Sequence, residues 1–434
     1  MRHDDSPVYD ALIKNFGVDS KTAALCFAAE EKISARFAAI DAVAEANSLR
    51  VLYAMQKNKL SDSHFTSVTG YGYNDPGREA VENIYADVFN CESGLVRPQM
   101  VSGTHALTAA LFGNLRHGDA LLFPAGAPYD TLAGVVGMRA VKGSLAEHGV
   151  DHLLIGLTEA GGFDYKKIEH AIVSTKFKMA SIQRSKGYSL RRSFSVREIG
   201  RLVSFIKNLD PKIICMVDNC YGEFVETKEP GEFGADLTVG SLIKNPGGGL
   251  SPAGGYICGA RELVDACACR LTAPGLGKEV GPMLGTTAPI LTGLFVAPGV
   301  VASAMKASLL ASAIFDALGF ATSPGPFDAR GCIVQTIFFN DRKLAESFVR
   351  GVQKGSPVDC FARPTPAPMP GYDCDVIMAA GTFTQGSSIE LSADAPLREP
   401  YAVYLQGGLN YHYAKLGVII AVDYFIKENG IKIK

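Results

Sequence analysis

Short runs of apolar and β-branched residues recur along the middle of the chain. They are LVRPQMVSG, ALLFPAG, HLLIGL, MASIQRS, IICMVDN and LTVGSLIKN. Stretches with apolar residues three and four positions apart, such as THALTAALFGNLR and VREIGRLVSFIKN, separate several of them. This alternation predicts a mainly parallel sheet with helices on both faces. The segment GGYICG predicts one further short strand that runs antiparallel to the strand before it.

The two ends of the chain carry other patterns. The first 60 residues are rich in Ala, Leu, Glu and Lys and predict a helical arm. The region from residue 301 onward predicts a smaller α+β domain. It contains a predicted helix (QTIFFNDRKLAESFVRGVQ), a proline-rich linker (FARPTPAPMPG), two predicted strands (CDVIMAAG and SSIELS) and a final helix (GGLNYHYAKLGVIIAVDYFIKE). The predicted division is therefore an N-terminal helical arm (1–60), a large α/β domain (61–300) and a C-terminal small α+β domain (301–434).

Composition and charge narrow the class of protein. Of the 434 residues, 47% are hydrophobic and 20% are charged, and the net charge of −2 gives no electrostatic reason to bind nucleic acid or an anionic membrane. The apolar stretch LTGLFVAPGVVASAMKASLLASAIFDALG contains Pro298 and Lys306, and it predicts a loop followed by a buried helix rather than a membrane span. The N-terminus MRHDDSPVYD lacks the apolar region of a signal peptide, so we expect a cytoplasmic protein whose ten cysteines are reduced.

Two local clusters, one of basic residues and one of histidines, are interpreted as structural and not as binding sites. The basic segment QRSKGYSLRRS predicts a solvated loop or helix start, with a contact to phosphate or to a partner as the alternative. His148 and His152 are four residues apart, but no carboxylate–histidine motif surrounds them and no cysteine pair has ligand spacing. The sequence therefore predicts no metal site.

Three features with candidate chemistry stand at predicted strand ends. Ser102, Gly103 and Thr104 open a helix, where free N–H groups bind phosphate, although a plain helix cap has the same sequence. Tyr129 follows the second strand and would either stack on a flat ligand ring or be a half-buried tyrosine. Asp218 ends an apolar strand, where a carboxylate needs a partner, either an arginine or the protonated ring nitrogen of a ligand.

Lys244 is the fourth such feature, at the end of the next strand and before the glycine-rich NPGGG. A lysine amine at that place can form a Schiff base with an aldehyde, and the Ser241 hydroxyl could bind phosphate; the alternative is a surface lysine on a loop. A phosphate, a flat ring, a ring nitrogen and an aldehyde are together the groups of pyridoxal 5′-phosphate (PLP). The four features therefore predict a PLP site, with the cofactor held covalently on Lys244.

Longer motifs extend this picture from about residue 20 to residue 434. They are GYGYNDPGRE, VRPQMVSGTHAL, PYDTL, SIQRSKGYSLR, VDNCYGEFVE, GSLIKNPGGG and LREPYAVYLQGGL. Together they resemble the PLP-dependent fold type I enzymes of cysteine and methionine metabolism, and most closely the aluminium resistance, methionine gamma-lyase-like family. The resemblance implies a mainly parallel seven-stranded sheet in the large domain. It also implies a homo-oligomer, either a dimer with shared active sites or a tetramer.

The resemblance implies roles for individual residues as well. Lys244 matches the Schiff-base lysine, Asp218 the aspartate of the pyridine nitrogen, and Tyr129 the ring-stacking tyrosine, which could also assist proton transfer. The residues of the phosphate cup would be Ser102, Gly103, Thr104 and Ser241. Ile243, where the lyases have a second hydroxyl, and His105, beside Thr104, both depart from the family pattern.

Other residues are expected to complete the site. In the lyases a tyrosine and an arginine of the neighbouring subunit reach the phosphate, and Tyr71 or Tyr73 together with Arg78 occupy that region here, although their spacing departs from the usual one. Arg398 is the best match to the arginine that binds the substrate α-carboxylate, for which a bidentate guanidinium is suited. A structural ion pair is the alternative for Arg398.

The function predicted on these grounds is that of a PLP-dependent carbon–sulfur lyase, acting on a sulfur-containing amino acid by β- or γ-elimination. The same residues would serve a PLP-dependent aminotransferase or other chemistry at Cα, because the reaction depends on which bond to Cα stands perpendicular to the ring. A third hypothesis is a binding protein, or a protein that handles Al³⁺ directly. Carboxylate pairs such as Glu30 and Glu31 lack the spacing of an oxygen cage, which argues against it.

Overall fold

The fold is described from a computed structural model, which covers residues 7–71 and 75–433. Contacts divide the chain into two compact units. One is Ala46–Ala297, and the other combines Met1–Glu45 with Pro298–Lys434. The division into three parts at residues 60 and 300 stays a prediction.

The unit Ala46–Ala297 contains a seven-stranded sheet. Its strands are β1 (Ser93–Arg97), β2 (Ala120–Phe123), β3 (Asp151–Leu154), β4 (Met179–Gln183), β5 (Ile214–Asp218), β6 (Leu237–Ser241) and β7 (Gly255–Gly259). They lie in the order β1-β7-β6-β5-β4-β2-β3. Strands β2 to β6 are parallel, whereas β7 is antiparallel to both β6 and β1. The predicted mainly parallel α/β sheet and the antiparallel GGYICG strand are confirmed.

Helices alternate with the strands of this sheet and continue beyond it. The α-helices of the described residues are α1 (Pro7–Phe16), α2 (Ser20–Ile33), α3 (Phe37–Lys57), α4 (Pro76–Val88), α5 (Gly103–Asn114), α6 (Asp130–Val136), α7 (Tyr165–Ser174), α8 (Val196–Leu209), α9 (Arg261–Leu271), α10 (Thr287–Ala317), α11 (Arg342–Lys354) and α12 (Tyr411–Asn429). The predicted helical character of the N-terminal region is therefore confirmed.

Strands β4, β5 and β6 are buried on both faces, which explains their largely apolar sequences, whereas the edge strand β3 is mostly exposed. Successive side chains of a strand point to opposite faces. In β5, Ile214 and Met216 join a core with residues of α5 and α9, while Cys215 and Val217 join a second core with residues of α7 and α8. Polar side chains can therefore reach solvent or a ligand only at the strand ends.

The second unit contains a five-stranded antiparallel sheet with the order β10-β11-β12-β9-β8. Its strands are β8 (Ala321–Ser323), β9 (Gln335–Phe338), β10 (Val376–Ala379), β11 (Ser392–Pro396) and β12 (Ala402–Gln406). Two predictions are wrong here. The segment QTIF forms β9 rather than the start of a helix, because it pairs with β12, and SSIELS ends where β11 begins instead of forming a strand.

Helix α10 is the one element of the described residues that is long and apolar enough to cross a membrane. It continues through Pro298, so the predicted loop before the helix is wrong. Of its most apolar window, 61% is buried inside the protein, in agreement with the prediction of a buried helix.

Candidate active site

The first turn of α5 lies against the carboxyl end of β6. Ser102 caps the helix, since its hydroxyl oxygen accepts a hydrogen bond of 3.1 Å from the backbone N–H of His105. A side chain on Gly103 would begin only 3.2 Å from Cβ of Ser241 and 3.5 Å from the sulfur of Cys220. The Ser241 hydroxyl is buried and has no hydrogen-bond partner among the residues described. A buried hydroxyl without a partner is unfavourable, so this one is suited to bind a ligand oxygen.

Tyr129 joins this cup through its hydroxyl group, which hydrogen-bonds to Oγ1 of Thr104. Thr104 Oγ1 also lies 2.9 Å from Oγ1 of Thr131, and the backbone N–H of Tyr129 donates to Oε1 of Gln183 at 2.9 Å. Burial, and to a smaller extent Asp218, raise the pKa of Tyr129 to about 12. The phenol is therefore neutral at physiological pH and holds a proton next to the predicted ring position.

Asp218 ends β5 with its carboxylate buried. Its Oδ1 accepts a hydrogen bond of 3.1 Å from the backbone N–H of Cys220. Burial raises the pKa of Asp218, and the nearby Lys244 ammonium lowers it. A carboxylate in such a place is stabilised by a cationic partner, which Lys244 supplies in part.

Lys244 follows β6 and precedes a single 3₁₀ turn. The chain turns so sharply there that a side chain on Gly247 would overlap the carbonyl oxygen of Leu242, and glycine is therefore required at this position. The Lys244 side chain keeps some exposed surface, and its Nζ lies 4.0 Å from the centre of the Tyr221 ring. The side chain is thus half-buried and packed against an aromatic ring, while its predicted role as the Schiff-base lysine stays a prediction.

Burial lowers the pKa of Lys244, but the surrounding groups raise it more, so that it stands well above that of a free lysine. The groups that raise it in their ionised forms are Cys220, Tyr221, Tyr129 and Asp218. Burial also raises the pKa of Cys220 and of Tyr129, which keeps both neutral at physiological pH. Among these four groups Asp218 is the carboxylic acid, and in its ionised form it favours the ammonium form of Lys244.

The loop after β5 contains a buried charged network that the sequence did not reveal. Arg184 is fully buried and donates to Oδ1 of Asn219 and to Oε1 of Glu226, each at 2.8 Å. The carboxylate of Glu229, also buried, accepts from the Asn219 side chain at 2.9 Å and lies 3.5 Å from the Arg184 guanidinium. Four polar side chains thus fix the chain between Asp218 and the end of this loop.

The basic segment is a loop, as predicted, but the prediction that it is solvated is wrong for Arg184 and Lys186 and holds for the exposed Arg192. Arg184 and Lys186 are both buried, and Nη2 of Arg191 donates to the carbonyl oxygen of Gln183 at 2.8 Å. The acidic residues of VETKEPGE were the signal that could have indicated partners for these cations. Of the basic residues, Arg184 bonds to the loop after β5.

Glu223 is a second buried acid in this loop. Its Oε1 accepts a hydrogen bond of 2.9 Å from the hydroxyl of Tyr256, and the Asn245 side chain, next to Lys244, donates to its backbone carbonyl at 2.8 Å. Burial, followed by other contributions including the charge of Glu229, raises the pKa of Glu223 to about 8. Glu223 is thus protonated at neutral pH, and it connects the loop to β7 and to the turn after Lys244.

Tyr71, Tyr73 and Arg78 are the residues that were predicted to reach the phosphate from a neighbouring subunit. Arg78 is buried in α4, and its guanidinium donates to the carbonyl oxygens of Glu279 and Gly281 at 3.1 and 3.3 Å. Tyr71 is 91% exposed, and Tyr73 lies outside the described residues. The role predicted for these three residues at a neighbouring subunit stays a prediction.

Arg398 belongs to the other unit, where its Nη1 donates to Oδ1 of Asp373 at 2.9 Å. This ion pair corresponds to the structural alternative, while a role at the substrate carboxylate stays a prediction. Within the described ranges no three His, Cys, Asp or Glu side chains are grouped as metal ligands.

Comparison with known proteins decides the family. Residues 22–426 match the sequence model of the family described as methionine gamma-lyase. The chain belongs to the methionine gamma-lyase family. The predicted family resemblance is thus confirmed.

This methionine gamma-lyase family member is similar over most of its length to proteins of known structure and to curated protein sequences. A carbon–sulfur lyase involved in aluminium resistance from Clostridium novyi is 44% identical, with a TM-score of 0.92 over 96% of this chain and 99% of that chain. A proposed cystathionine beta-lyase involved in aluminium resistance from Listeria monocytogenes is 46% identical, with a TM-score of 0.89 over 92% of this chain and 98% of that chain. The uncharacterised Bacillus subtilis protein YnbB is 48% identical over 90% of this chain and 93% of its own length.

A more distant structure shows how far the fold extends. The PLP-dependent Escherichia coli protein YhfS is 17% identical and has a TM-score of 0.59 over 87% of this chain and 96% of that chain. At that identity the likeness concerns the fold alone. The two proteins thus share the mainly parallel α/β fold described above.

Proposed function

We propose that the protein is a PLP-dependent carbon–sulfur lyase of fold type I, which cleaves a sulfur-containing amino acid by β- or γ-elimination. The observation that carries the proposal is the convergence of Lys244, Asp218 and the partnerless Ser241 hydroxyl at the carboxyl ends of β5 and β6. In parallel α/β sheets, ligands bind at the carboxyl ends of the strands. Membership of the methionine gamma-lyase family supports the same conclusion.

The residues fit PLP in three separate respects. The first turn of α5 and the buried Ser241 hydroxyl offer donors for a phosphate group, and the absence of a side chain at Gly103 leaves room for it. The buried Asp218 carboxylate would pair with the protonated ring nitrogen. The Lys244 amine would hold the cofactor covalently. Bound PLP supplies a ring that takes up the negative charge left on Cα when a bond to that atom breaks.

The protein's own groups would hold and move the protons of the reaction. The buried Asp218 carboxylate would keep a proton on the ring nitrogen of bound PLP. Lys244, once its amine is free and neutral, can accept the α-proton of the substrate at Nζ. Tyr129 holds its proton at physiological pH, because burial raises its pKa to about 12, and its hydroxyl is the group that would donate a proton to a departing sulfur atom.

The reaction is tested by supplying the purified protein and PLP with cysteine, cystathionine or methionine. We expect release of ammonia and a 2-oxo acid from at least one of them, because elimination yields both products. Transfer of the amino group to an added 2-oxo acid, without release of ammonia, would identify an aminotransferase and contradict the proposal.

The cofactor cup is tested by Ser241→Ala. We expect the affinity for PLP to fall roughly tenfold to hundredfold, the effect of losing one hydrogen bond to a charged group. Equilibrium titration of the variant with PLP measures the change. Thr238→Val is the matched control, since the Thr238 hydroxyl in β6 is also buried and has no partner among the described residues, but its affinity should stay that of the wild type. An unchanged affinity in Ser241→Ala would remove Ser241 from the phosphate cup.

A further inference from the structure

Tyr221 lies three residues after Asp218 in a conformation that is unusual for an aromatic residue. Its φ is 69°, in the left-handed region, and Phe224 in the same loop has a φ of 62°. Residues with a Cβ atom rarely adopt this region, and they remain there only when the surrounding structure holds them. The surrounding structure must therefore hold the loop in this conformation.

The contacts around this loop show what holds it. The buried Glu229 carboxylate accepts a hydrogen bond of 2.8 Å from the backbone N–H of Phe224. The backbone N–H of Asn219 donates to the carbonyl oxygen of Val239 in β6 at 2.9 Å. At Gly222 a side chain would begin 2.5 Å from Cδ of Arg184. The loop is thus fixed on both sides of Tyr221.

The result of this arrangement is the position of the Tyr221 ring relative to Lys244. The ammonium nitrogen lies 4.0 Å from the ring centre, within the range of a cation–π interaction. Such an interaction is stronger where the cation is desolvated, and burial partly desolvates the Lys244 amine. Tyr129 is the other tyrosine near Lys244, and its hydroxyl is hydrogen-bonded to Thr104.

We propose that Tyr221 is a positioning residue that holds the free ammonium group of Lys244 on its ring face. The inference rests on the proposed function, in which the substrate amine displaces Lys244 from the cofactor in every turnover. Between displacement and return, the amine is kept beside the reaction centre by the Tyr221 ring. The ring also stabilises the cationic form, and so it sets how much of the free lysine is neutral and able to accept a proton.

Other titratable groups around Lys244 bear on the same balance and must be kept constant in a test. They are Asp218 at the end of β5, Cys220 and Glu223 in the loop after it, and Tyr129 at the start of α6. Cys220 and Tyr129 are neutral at physiological pH, and Glu223 has a pKa raised to about 8 by burial. Substitutions at Tyr221 leave all four side chains in place.

The experiment measures the pKa of Lys244 directly in the full-length protein freed of PLP. Trace acetylation at a series of pH values, followed by peptide mass spectrometry, gives the reactivity of Lys244 relative to the exposed Lys166 in the same sample. Three variants are compared with the wild type: Tyr221→Phe keeps the ring, Tyr221→Leu removes it, and Tyr221→Asn removes it with a residue that tolerates the left-handed conformation. Circular dichroism confirms that each variant is folded.

We expect Tyr221→Phe to give the wild-type pH profile. In Tyr221→Leu and Tyr221→Asn the midpoint should move to lower pH, so that the neutral fraction of Lys244 at a given pH rises roughly tenfold, the scale of a desolvated cation–π contact. A change in access alone would alter the maximal rate but not the midpoint. An unchanged midpoint in a folded variant without the ring would overturn the inference, and so would a shift in Tyr221→Phe equal to that of Tyr221→Leu. Because the measurement needs no PLP, its outcome is separate from that of the proposed function.

Discussion

Replacing Lys244 with alanine is expected to lower the rate of elimination by about 10³-fold or more, because two functions are lost together. The amine that would hold the cofactor is absent, and so is the base that would accept the α-proton at Nζ. The residual activity should rise when a small primary amine is added, since such an amine can replace the lost base in solution. Steady-state assays of ammonia release with and without added methylamine measure both effects.

Lys244→Arg separates the charge of the side chain from its reactivity. Arginine keeps a cation near the Tyr221 ring, but it does not lose its proton at any physiological pH and cannot replace the amine. We therefore expect Lys244→Arg to be as inactive as the alanine variant. Activity close to that of the wild type in either variant would show that Lys244 is not the residue that holds the cofactor.

Asp218→Asn is expected to lower the rate of elimination by about 10²–10³-fold, the scale of losing one preorganised electrostatic contact. The amide has almost the same shape as the carboxylate, and its oxygen can still accept the hydrogen bond from Cys220. It carries no charge, however, and a ring nitrogen facing it would lose its proton. The ring would then take up less of the negative charge that forms at Cα.

The control for Asp218→Asn is the same substitution at Asp236, which lies near the opposite end of β5. Its carboxylate accepts a hydrogen bond of 2.7 Å from the backbone N–H of Cys215 and pairs with Lys207. Asp236→Asn should affect the stability of the fold but not the rate of elimination. Equal losses of activity in the two variants would mean that Asp218 acts only through the structure of β5.

Much of the sheet could be predicted from the sequence because most of its strands are buried on both faces. Each of the six apolar runs contains all or most of one strand, and the polar residues Asp218 and Ser241, at the ends of two strands, lie at the edge where a ligand would bind. The short glycine-rich connection after Lys244 also indicated that the next strand returns antiparallel, as β7 does. The local pattern of apolar residues was sufficient to predict those strands whose position depends mainly on burial.

The loop between Asp218 and Glu229 could not be predicted in the same way. Its conformation depends on Arg184, which is distant in sequence and reads as one of several solvated cations until its partners Glu226 and Glu229 are known. The left-handed φ of Tyr221 could not be predicted from the sequence either, because this region is typical of glycine and asparagine and not of tyrosine. Likewise, QTIF has an apolar pattern compatible with a helix, and it is pairing with β12 that makes it a strand.

The central claim, that Lys244 holds PLP, is tested most directly by locating the covalent bond. The protein is equilibrated with PLP, reduced with borohydride and digested, and the peptides are analysed by mass spectrometry. The account predicts that the mass of the reduced cofactor is found on the peptide containing Lys244, and that the Lys244→Arg variant carries no such label. A label on a different lysine, or no label after saturation with PLP, would contradict it.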